Sequence, residues 1–396
     1  VLLQLKEKKY FHNVYGIDKE IDLVKISKAY MAVVGNGHTN IFGADSLYPE
    51  SWEERMKKVV NAEGFHMVLT NPPFGAKIFI EDSEILKNYL LGHNWIKDRL
   101  GIWKRTSSVS KQVPQILFIE RCLQLLKPGG RMAIVLPDGV FGNPSDRYVW
   151  HFLLENAKIL AITSLPPETF LPSTHTKTSV LFLEKCKNLK KDYKIFMGIA
   201  GKVGHDKNGK IIFKMDTNGN YVYDERGNKI IDDDLPVISS LYREFVNKEN
   251  IHQQSHLGFV VPSSKIINFI FIPSYYDPEI KQKLKEMEKT GRYKLVTLGE
   301  LINQELISIK RGHEVGSKYY GMGDVPFVRT SDIVNWEVKI DPVKSIPEEV
   351  FEKYRKRQDI RENDILLVSD GTFLIGRTAI VTSLDKKLVI QSHIDR

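Results

Sequence analysis

Residues 65–75 read Phe65-His66-Met67-Val68-Leu69-Thr70-Asn71-Pro72-Pro73-Phe74-Gly75. An apolar run of strand length stops on an asparagine, two prolines and an aromatic. The run predicts a buried strand over 65–70. Two consecutive prolines fix φ and present carbonyls without competing N–H donors. Asn-Pro and Phe-Gly are also ordinary turn punctuation. Taken alone, the stretch is either a plain turn or a turn built to hold a ligand, and its surroundings decide.

The ligand that fits is a planar ring bearing an exocyclic amine. The Asn71 side-chain oxygen accepts one amine N–H and the Pro72 carbonyl accepts the other. The nitrogen lone pair then points away, toward an electrophile. Phe74 stacks on the ring, as required of a site that works on a base taken out of a helix.

Upstream, residues 14–18 (Val-Tyr-Gly-Ile-Asp) read as a short buried strand ending in an acid. Leu23, Ile26, Tyr30 and Val33 follow at spacings of three, four and three, one face of a helix, which Gly35 and Gly37 end. Residues 40–45 read as a second strand ending in an acid. Downstream, 76–111 hold Trp95, Trp103 and basic residues with little apolar periodicity, and predict a loop over the site. Pro114 opens a helix carrying Ile116, Ile119, Leu123 and Leu126, and Lys127-Pro-Gly-Gly130 closes it. Strands are expected at 131–136, 159–165, around Phe170 and at 178–184, with a helix near 146–157.

Strands alternating with helices argue for an α/β domain with a mostly parallel sheet. Ligands bind at the carboxyl ends of such strands. Asp18, Asp45 and Asn71 all fall there. Asp18 suits ribose hydroxyls or a helix N-cap. Asp45 suits an adenine amine or a turn. Phe170 is placed to support the extruded ring edge-on or to fill core. Lys177, in the run Ser173–Ser179, is a candidate for phosphate contact or a solvated loop residue. His175 has no partner at metal or triad spacing.

Residues 200–235 repeat Asp-Lys-Asn-Gly-Lys and Asp-Thr-Asn-Gly-Asn, a hairpin flavour within an irregular insertion. Residues 279–289 read as a short charged helix, a spacer. From about 291 short β-like runs and Gly-rich turns indicate a second domain. The expected division is a first domain over 1–245, a linker over 246–290 and the second domain over 291–396.

The 396 residues suit two or three domains. With 42% hydrophobic and 27% charged residues the chain has material for a sizeable core. Cys122 and Cys186 give neither a disulfide framework nor metal-ligand spacing, which fits a reducing cytoplasm and no metal. No apolar run reaches membrane-spanning length. The formal net charge of +8 favours a polyanionic partner. The opening at Val1, without Met and inside a helix-like run, and the stop at Arg396 read as cuts in a longer protein.

Three stretches together resemble the N6-adenine DNA methyltransferases, above all the modification subunit of type I restriction-modification systems. They are Asn71–Gly75, the run Leu125-Leu-Lys-Pro-Gly-Gly-Arg-Met-Ala-Ile-Val-Leu-Pro-Asp-Gly-Val-Phe141, and the run Phe170-Leu-Pro-Ser-Thr-His-Thr-Lys-Thr-Ser-Val-Leu-Phe-Leu-Glu-Lys185. The resemblance covers about 14–245. In the last third, Pro326-Phe-Val-Arg-Thr-Ser-Asp-Ile333, Asn363–Thr372 and Leu374–Val381 resemble the target recognition domain of type I specificity subunits. A fused modification–specificity protein is implied.

By that resemblance the fold is a Rossmann-like S-adenosylmethionine-dependent sheet, N-terminally truncated, followed by a smaller β-rich α+β recognition domain. Asp18 would bind the cofactor's ribose, Asp45 its adenine, and Asn71, Pro72, Pro73 and Phe74 the target adenine of double-stranded DNA. Direct attack of N6 on the methyl is implied. Restriction, translocase or specificity subunits are implied as partners. The family's Gly-rich loop and the first strand of its sheet are expected ahead of Val1. Methylation of RNA or of a protein glutamine, and a DNA-binding module without catalysis, are the competing readings.

Overall fold

The computed structural model describes residues 13–34, 40–62, 64–74, 78–174, 176–186, 192–292, 294–370, 374–385 and 387–396. The expected helical opening, Gly35, Gly37 and His175 lie outside them. The chain divides into two compact units, Val1–Lys281 and Gln282–Arg396.

The first unit begins with β1 (Gly16–Asp18), α1 (Ile21–Val34), β2 (Ile41–Gly43), α2 (Glu54–Ala62) and β3 (Phe65–Thr70). After α3 (Ser83–Leu86) come β4 (His93–Lys97), β5 (Trp103–Val109), α4 (Pro114–Leu125), β6 (Leu126–Pro137), α5 (Asp138–Gly142) and α6 (Arg147–Asn156). Then follow β7 (Ala157–Ser164), β8 (Thr178–Lys185), β9 (Lys194–Ile199), α7 (Leu235–Lys248), β10 (Phe259–Pro262) and α8 (Pro278–Lys289), which runs across the division.

Among the described residues the central sheet has six strands in the order β10-β9-β7-β8-β6-β3. The expectation of a mostly parallel sheet is corrected. β6 pairs parallel with β3, and β7 with β9, but β8 lies antiparallel between β6 and β7, and β10 runs antiparallel on β9. The short connection from β7 to β8 returns the chain beside the strand it has just left, which an antiparallel strand permits. β1 and β2 pair parallel in a separate two-stranded sheet, Asp18 opposite Gly43.

The main core lies between this sheet and its helices. Ile116, Ile119 and Leu123 of α4 and Trp150 and Leu153 of α6 pack on Ile134, Leu136, Ile159, Leu181 and Leu183. Helix α1 forms as expected but buries a different face. Val24 and Met31 pack on Ile41, whereas Leu23, Ile26, Tyr30 and Val33 are exposed, Val33 to 86%. A two-stranded sheet is too narrow to cover more than one side of the helix.

Other expectations are also revised. Within the expected 76–111 loop, residues 93–109 are not a loop: β4 and β5 form an antiparallel hairpin with Trp95 opposite Arg105 and Lys97 opposite Trp103. Its half-buried positions include Trp95 and Trp103, so aliphatic periodicity does not reveal it. Phe170 stands in the 3-10 turn Pro167–Phe170, not a strand, because Pro166 and Pro167 withhold ladder donors. The 246–290 stretch is not a linker throughout. β10 closes one edge of the central sheet, and the Phe271 ring stacks on Trp150 at 3.8 Å between centroids.

Residues 203–233 form an arm of paired bridges, among them His205 with Ile211, Met215 with Tyr221 and Tyr223 with Lys229. Its three tips share one construction. Asp206, Asp216 and Asp224 each accept, through Oδ1, the N–H groups two and four residues ahead, at 2.8–2.9 Å. Gly209, Gly219 and Gly227, at φ of 81, 83 and 78°, close the turns, a conformation that favours glycine. The tip of the β4–β5 hairpin repeats this design. Asp98 Oδ1 accepts from Leu100 and Ile102 at 2.9 and 3.0 Å, and Gly101 has φ 78°. In all four, bonds from backbone N–H groups hold the aspartate below the usual carboxylate range.

The second unit is β-rich, with α9 (Leu298–Asn303), β11 (Phe327–Val328), β12 (Ile333–Val334), β13 (Glu337–Val338), α10 (Glu348–Gln358), β14 (Ile365–Val368), β15 (Thr378–Ile380), β16 (Val389–Ile390) and β17 (Ile394–Asp395). A three-stranded sheet β15-β14-β17 and the parallel pair β11-β16 hold two small cores. Buried Gln358 at the end of α10 ties the unit together. Its amide donates to the Ile390 carbonyl at 2.8 Å and accepts from the Ile390 N–H at 2.9 Å.

Candidate active site

Strand β3 delivers Asn71 to the carboxyl end of the central sheet, directly after Thr70. Asn71 and Pro73 are exposed, Pro72 is buried and Phe74 is half-buried. Among the described residues neither the Asn71 amide nor the Pro72 carbonyl is engaged in a hydrogen bond. The exposed Asn71 amide thus stands uncommitted at the strand end, with the Pro72 carbonyl unbonded beside it. The Phe170 ring meets the Phe74 ring with centroids 6.1 Å apart and planes at 75°, an edge-to-face pair. The other side of Phe170 packs on the cluster around Ala161 and Leu165, so the pair is anchored in the fold.

Asp18 is the last residue of β1. Its Oδ1 accepts from the Glu20 N–H at 2.8 Å. This is an Asx turn leading into α1 rather than a cap on the helix itself. Asp45 lies two residues beyond the end of β2, outside the strand expected to reach it. Its Oδ1 accepts from the Leu47 N–H at 2.9 Å, and its Oδ2 lies 3.1 Å from the Lys19 ammonium. Lys19 follows Asp18 in the chain, so the two acids are neighbours at the carboxyl end of one strand pair.

A family model for N-6 DNA methylases matches residues 2–281. The chain belongs to the N-6 DNA methylase family. The methylase subunit of the type I restriction enzyme EcoEI from Escherichia coli is 29% identical over 136 residues, covering 34% of this chain and 22% of that protein. The methylase subunit of the type I restriction enzyme MpnII from Mycoplasma pneumoniae is 23% identical over 209 residues, covering 52% and 36%. The chain thus spans about a third or less of the length of these curated relatives. A solved chain from a type I restriction–modification system overlaps with a TM-score of 0.44 at 20% identity, covering 74% of this chain and 53% of that one.

The acceptors present would suit the hydroxyls and amine of a nucleoside such as that of S-adenosylmethionine. Asp18 ends β1 and Asp45 lies two residues beyond the end of the adjacent parallel strand β2, and Asp18 Oδ2 has no partner among the described residues. No group of three or more His, Cys, Asp or Glu able to hold a metal occurs among the described residues. No described helix is long and apolar enough to cross a membrane.

Lys177 is tied to Asp138. The ammonium lies 3.3 Å from Asp138 Oδ2, and Ser179 donates to Asp138 Oδ1 at 2.6 Å. Asp138 received no role in the sequence reading. Its signal was available: like Asp18, it is an acid at the carboxyl end of a strand, here following β6 in Pro137-Asp138-Gly139. The sequence reading also missed Glu120, a buried carboxylate on α4 that accepts from the Leu90 and Leu91 N–H groups at 2.9 and 2.8 Å. Burial pushes its pKa upward against those bonds. No local motif marks it, because its partners lie thirty residues back.

Proposed function

We propose that the first unit is the catalytic part of a DNA methyltransferase acting on the N6 amine of an adenine turned out of the duplex. The observation that carries this reading is the pair of unbonded acceptors on Asn71 and Pro72, next to the edge-on rings of Phe74 and Phe170. Asn71 Oδ1 and the Pro72 carbonyl take the two amine hydrogens and leave the lone pair free. Phe74 stacks on the base, and Phe170 fixes the tilt of that ring. Pro73 keeps the turn rigid without adding a donor.

Bound S-adenosylmethionine supplies an electrophilic methyl. Asp18 would accept from its ribose hydroxyls, and Asp45 from its adenine amine once Lys19 swings toward solvent. With Asn71 and Pro72 holding the amine hydrogens, the N6 lone pair would be directed at that methyl, and the amine would give up one proton to water on transfer. No covalent bond to the protein is needed, in contrast to nucleophilic catalysis.

In this reading Lys177 exchanges its contact with Asp138 for a backbone phosphate. The second unit selects the DNA site. Specificity, translocase or restriction subunits are the partners to be expected, since the curated relatives are named as subunits of type I restriction enzymes.

The test is transfer of labelled methyl to duplex DNA by protein from the complete open reading frame, beside its Asn71→Ala variant. Label on adenine N6 that disappears in the variant, with DNA binding kept, supports the reading. Label on RNA or on protein alone refutes it.

A further inference from the structure

Between His93 and Lys111 stand Lys97, Arg99, Lys104, Arg105 and Lys111 against Asp98 alone, a formal +4 and half of the chain's +8. All belong to the β4–β5 hairpin and its root. The root is held from several sides. Glu120 binds the Leu90 and Leu91 N–H groups, and Trp95 Nε1 donates to the Leu90 carbonyl at 3.1 Å. A Cβ on Gly92 would lie 2.3 Å from the Leu86 carbonyl oxygen. Ile80 and Gln112 exchange backbone hydrogen bonds across the base of the hairpin. Trp95 and Trp103 both pack on Tyr148, at 5.9 and 6.0 Å between centroids. The hairpin therefore projects from a rigid base reached six residues after Phe74.

Its tip differs from its three structural twins in its side chains, and four places after the aspartate it carries Ile102 where they carry Lys210, Asn220 and Asn228. The residue two places after the turn aspartate is Asn208, Asn218 and Arg226 in the arm, but Leu100 here. Leu100 is 84% exposed and supports nothing in the fold. Ile102 and Ile96 beside it are also exposed. Lys104 pairs with Asp98 at 3.0 Å, and Lys97 lies over Trp103. Arg99 and Arg105 have no partner among the described residues.

An exposed apolar side chain at the tip of a hairpin that also carries two guanidinium groups, one beside the tip and one on the stem opposite Trp95, suits the groove and backbone of duplex DNA. Guanidinium groups neutralise phosphates, and apolar wedges enter where a base step is opened. We propose that the β4–β5 hairpin is a duplex-DNA contact in which Arg99 and Arg105 bind phosphates and Leu100 fills the space beside the turned-out base. This rests on the methyltransferase reading for the position of Leu100, but not for the phosphate contacts.

Two measurements on the full-length protein test it. The first is the salt dependence of duplex binding for Arg99→Gln and Arg105→Gln. Each should flatten the slope of log K against log salt by about one; unchanged slopes overturn the phosphate contacts. The second uses Leu100→Asn, the side chain that the twin tip already carries at Asn218, so the turn is retained. Methyl transfer to a paired adenine should fall about tenfold, and transfer to an adenine opposite an abasic site should fall much less, since that base is already unstacked. Equal rates for variant and wild type on both substrates overturn the wedge. If the wild type methylates neither substrate, the methyltransferase reading and the wedge fall together, while the salt slopes still decide the phosphate contacts.

Discussion

The Phe74 and Phe170 rings meet edge to face at 6.1 Å, although one follows β3 and the other follows β7. Aromatic pairs of this geometry contribute about 0.5–1.5 kcal/mol beyond their buried area. Phe170→Ala should therefore lower kcat/KM for duplex DNA by roughly three- to tenfold through a tilted Phe74. A double-mutant cycle with Phe74→Ala checks this. Strictly additive losses would show that Phe170 is only core.

Asp18 has one oxygen committed to the chain and one open. Asparagine keeps an Asx turn but loses the charge that strengthens a bond to a ligand hydroxyl. Asp18→Asn should leave the melting temperature nearly unchanged and weaken S-adenosylmethionine binding about tenfold. Asp18→Ala should lose both binding and about 1 kcal/mol of stability. Calorimetry on the two variants separates the roles, and wild-type affinity in Asp18→Asn would remove the ribose assignment.

Asp146 precedes α6, and burial raises its carboxyl pKa from 3.8 to about 6. Between those values the native chain holds a proton that the unfolded chain has released. Native stability therefore falls as pH rises through the window, and the penalty is complete above it. Asp146→Asn removes the titration. It should stabilise the protein by about 1–3 kcal/mol at pH 7.5 and by little at pH 4. Urea midpoints at the two pH values provide the comparison, and the idea fails if the variant gains nothing at pH 7.5.

In the second unit, Gln358→Leu keeps the volume and deletes both bonds to Ile390. The Ile390 carbonyl still accepts from the His313 N–H, but the Ile390 N–H is left unsatisfied beside a buried side chain. The loss should be about 1–3 kcal/mol, read as a lower unfolding temperature and faster proteolysis after residue 282. A change below about 0.5 kcal/mol would mean that water replaces the amide.

The sequence made β1, α1, β3, α4, β6, α6, β7 and β8 legible, because each carries an apolar run or period, but not α2, the β4–β5 hairpin, β9, α7 or β10. It also placed Asn71 at a strand end and named Phe170 as a support for an extruded ring or a core residue, without linking it to Phe74. What it could not reveal depends on surroundings. Leu23, Ile26, Tyr30 and Val33 have the periodicity of a buried face, yet the two-stranded sheet leaves them exposed. The Trp-lined hairpin looks like a loop when only aliphatic spacing is read. The Lys177–Asp138 and Glu120–Leu90 contacts join segments that no local pattern connects.

Four turns of this chain are written with the same small grammar: an aspartate, a glycine three places on, and two backbone donors between and beyond them. Within each, the two positions after the aspartate answer to no internal rule. Asp98, Asp206, Asp216 and Asp224 thus give the molecule fingertips whose outward letters can change while the joint stays the same. A chain that must keep its chemistry fixed and renegotiate its touch on a partner has, in such tips, places where novelty costs the fold almost nothing.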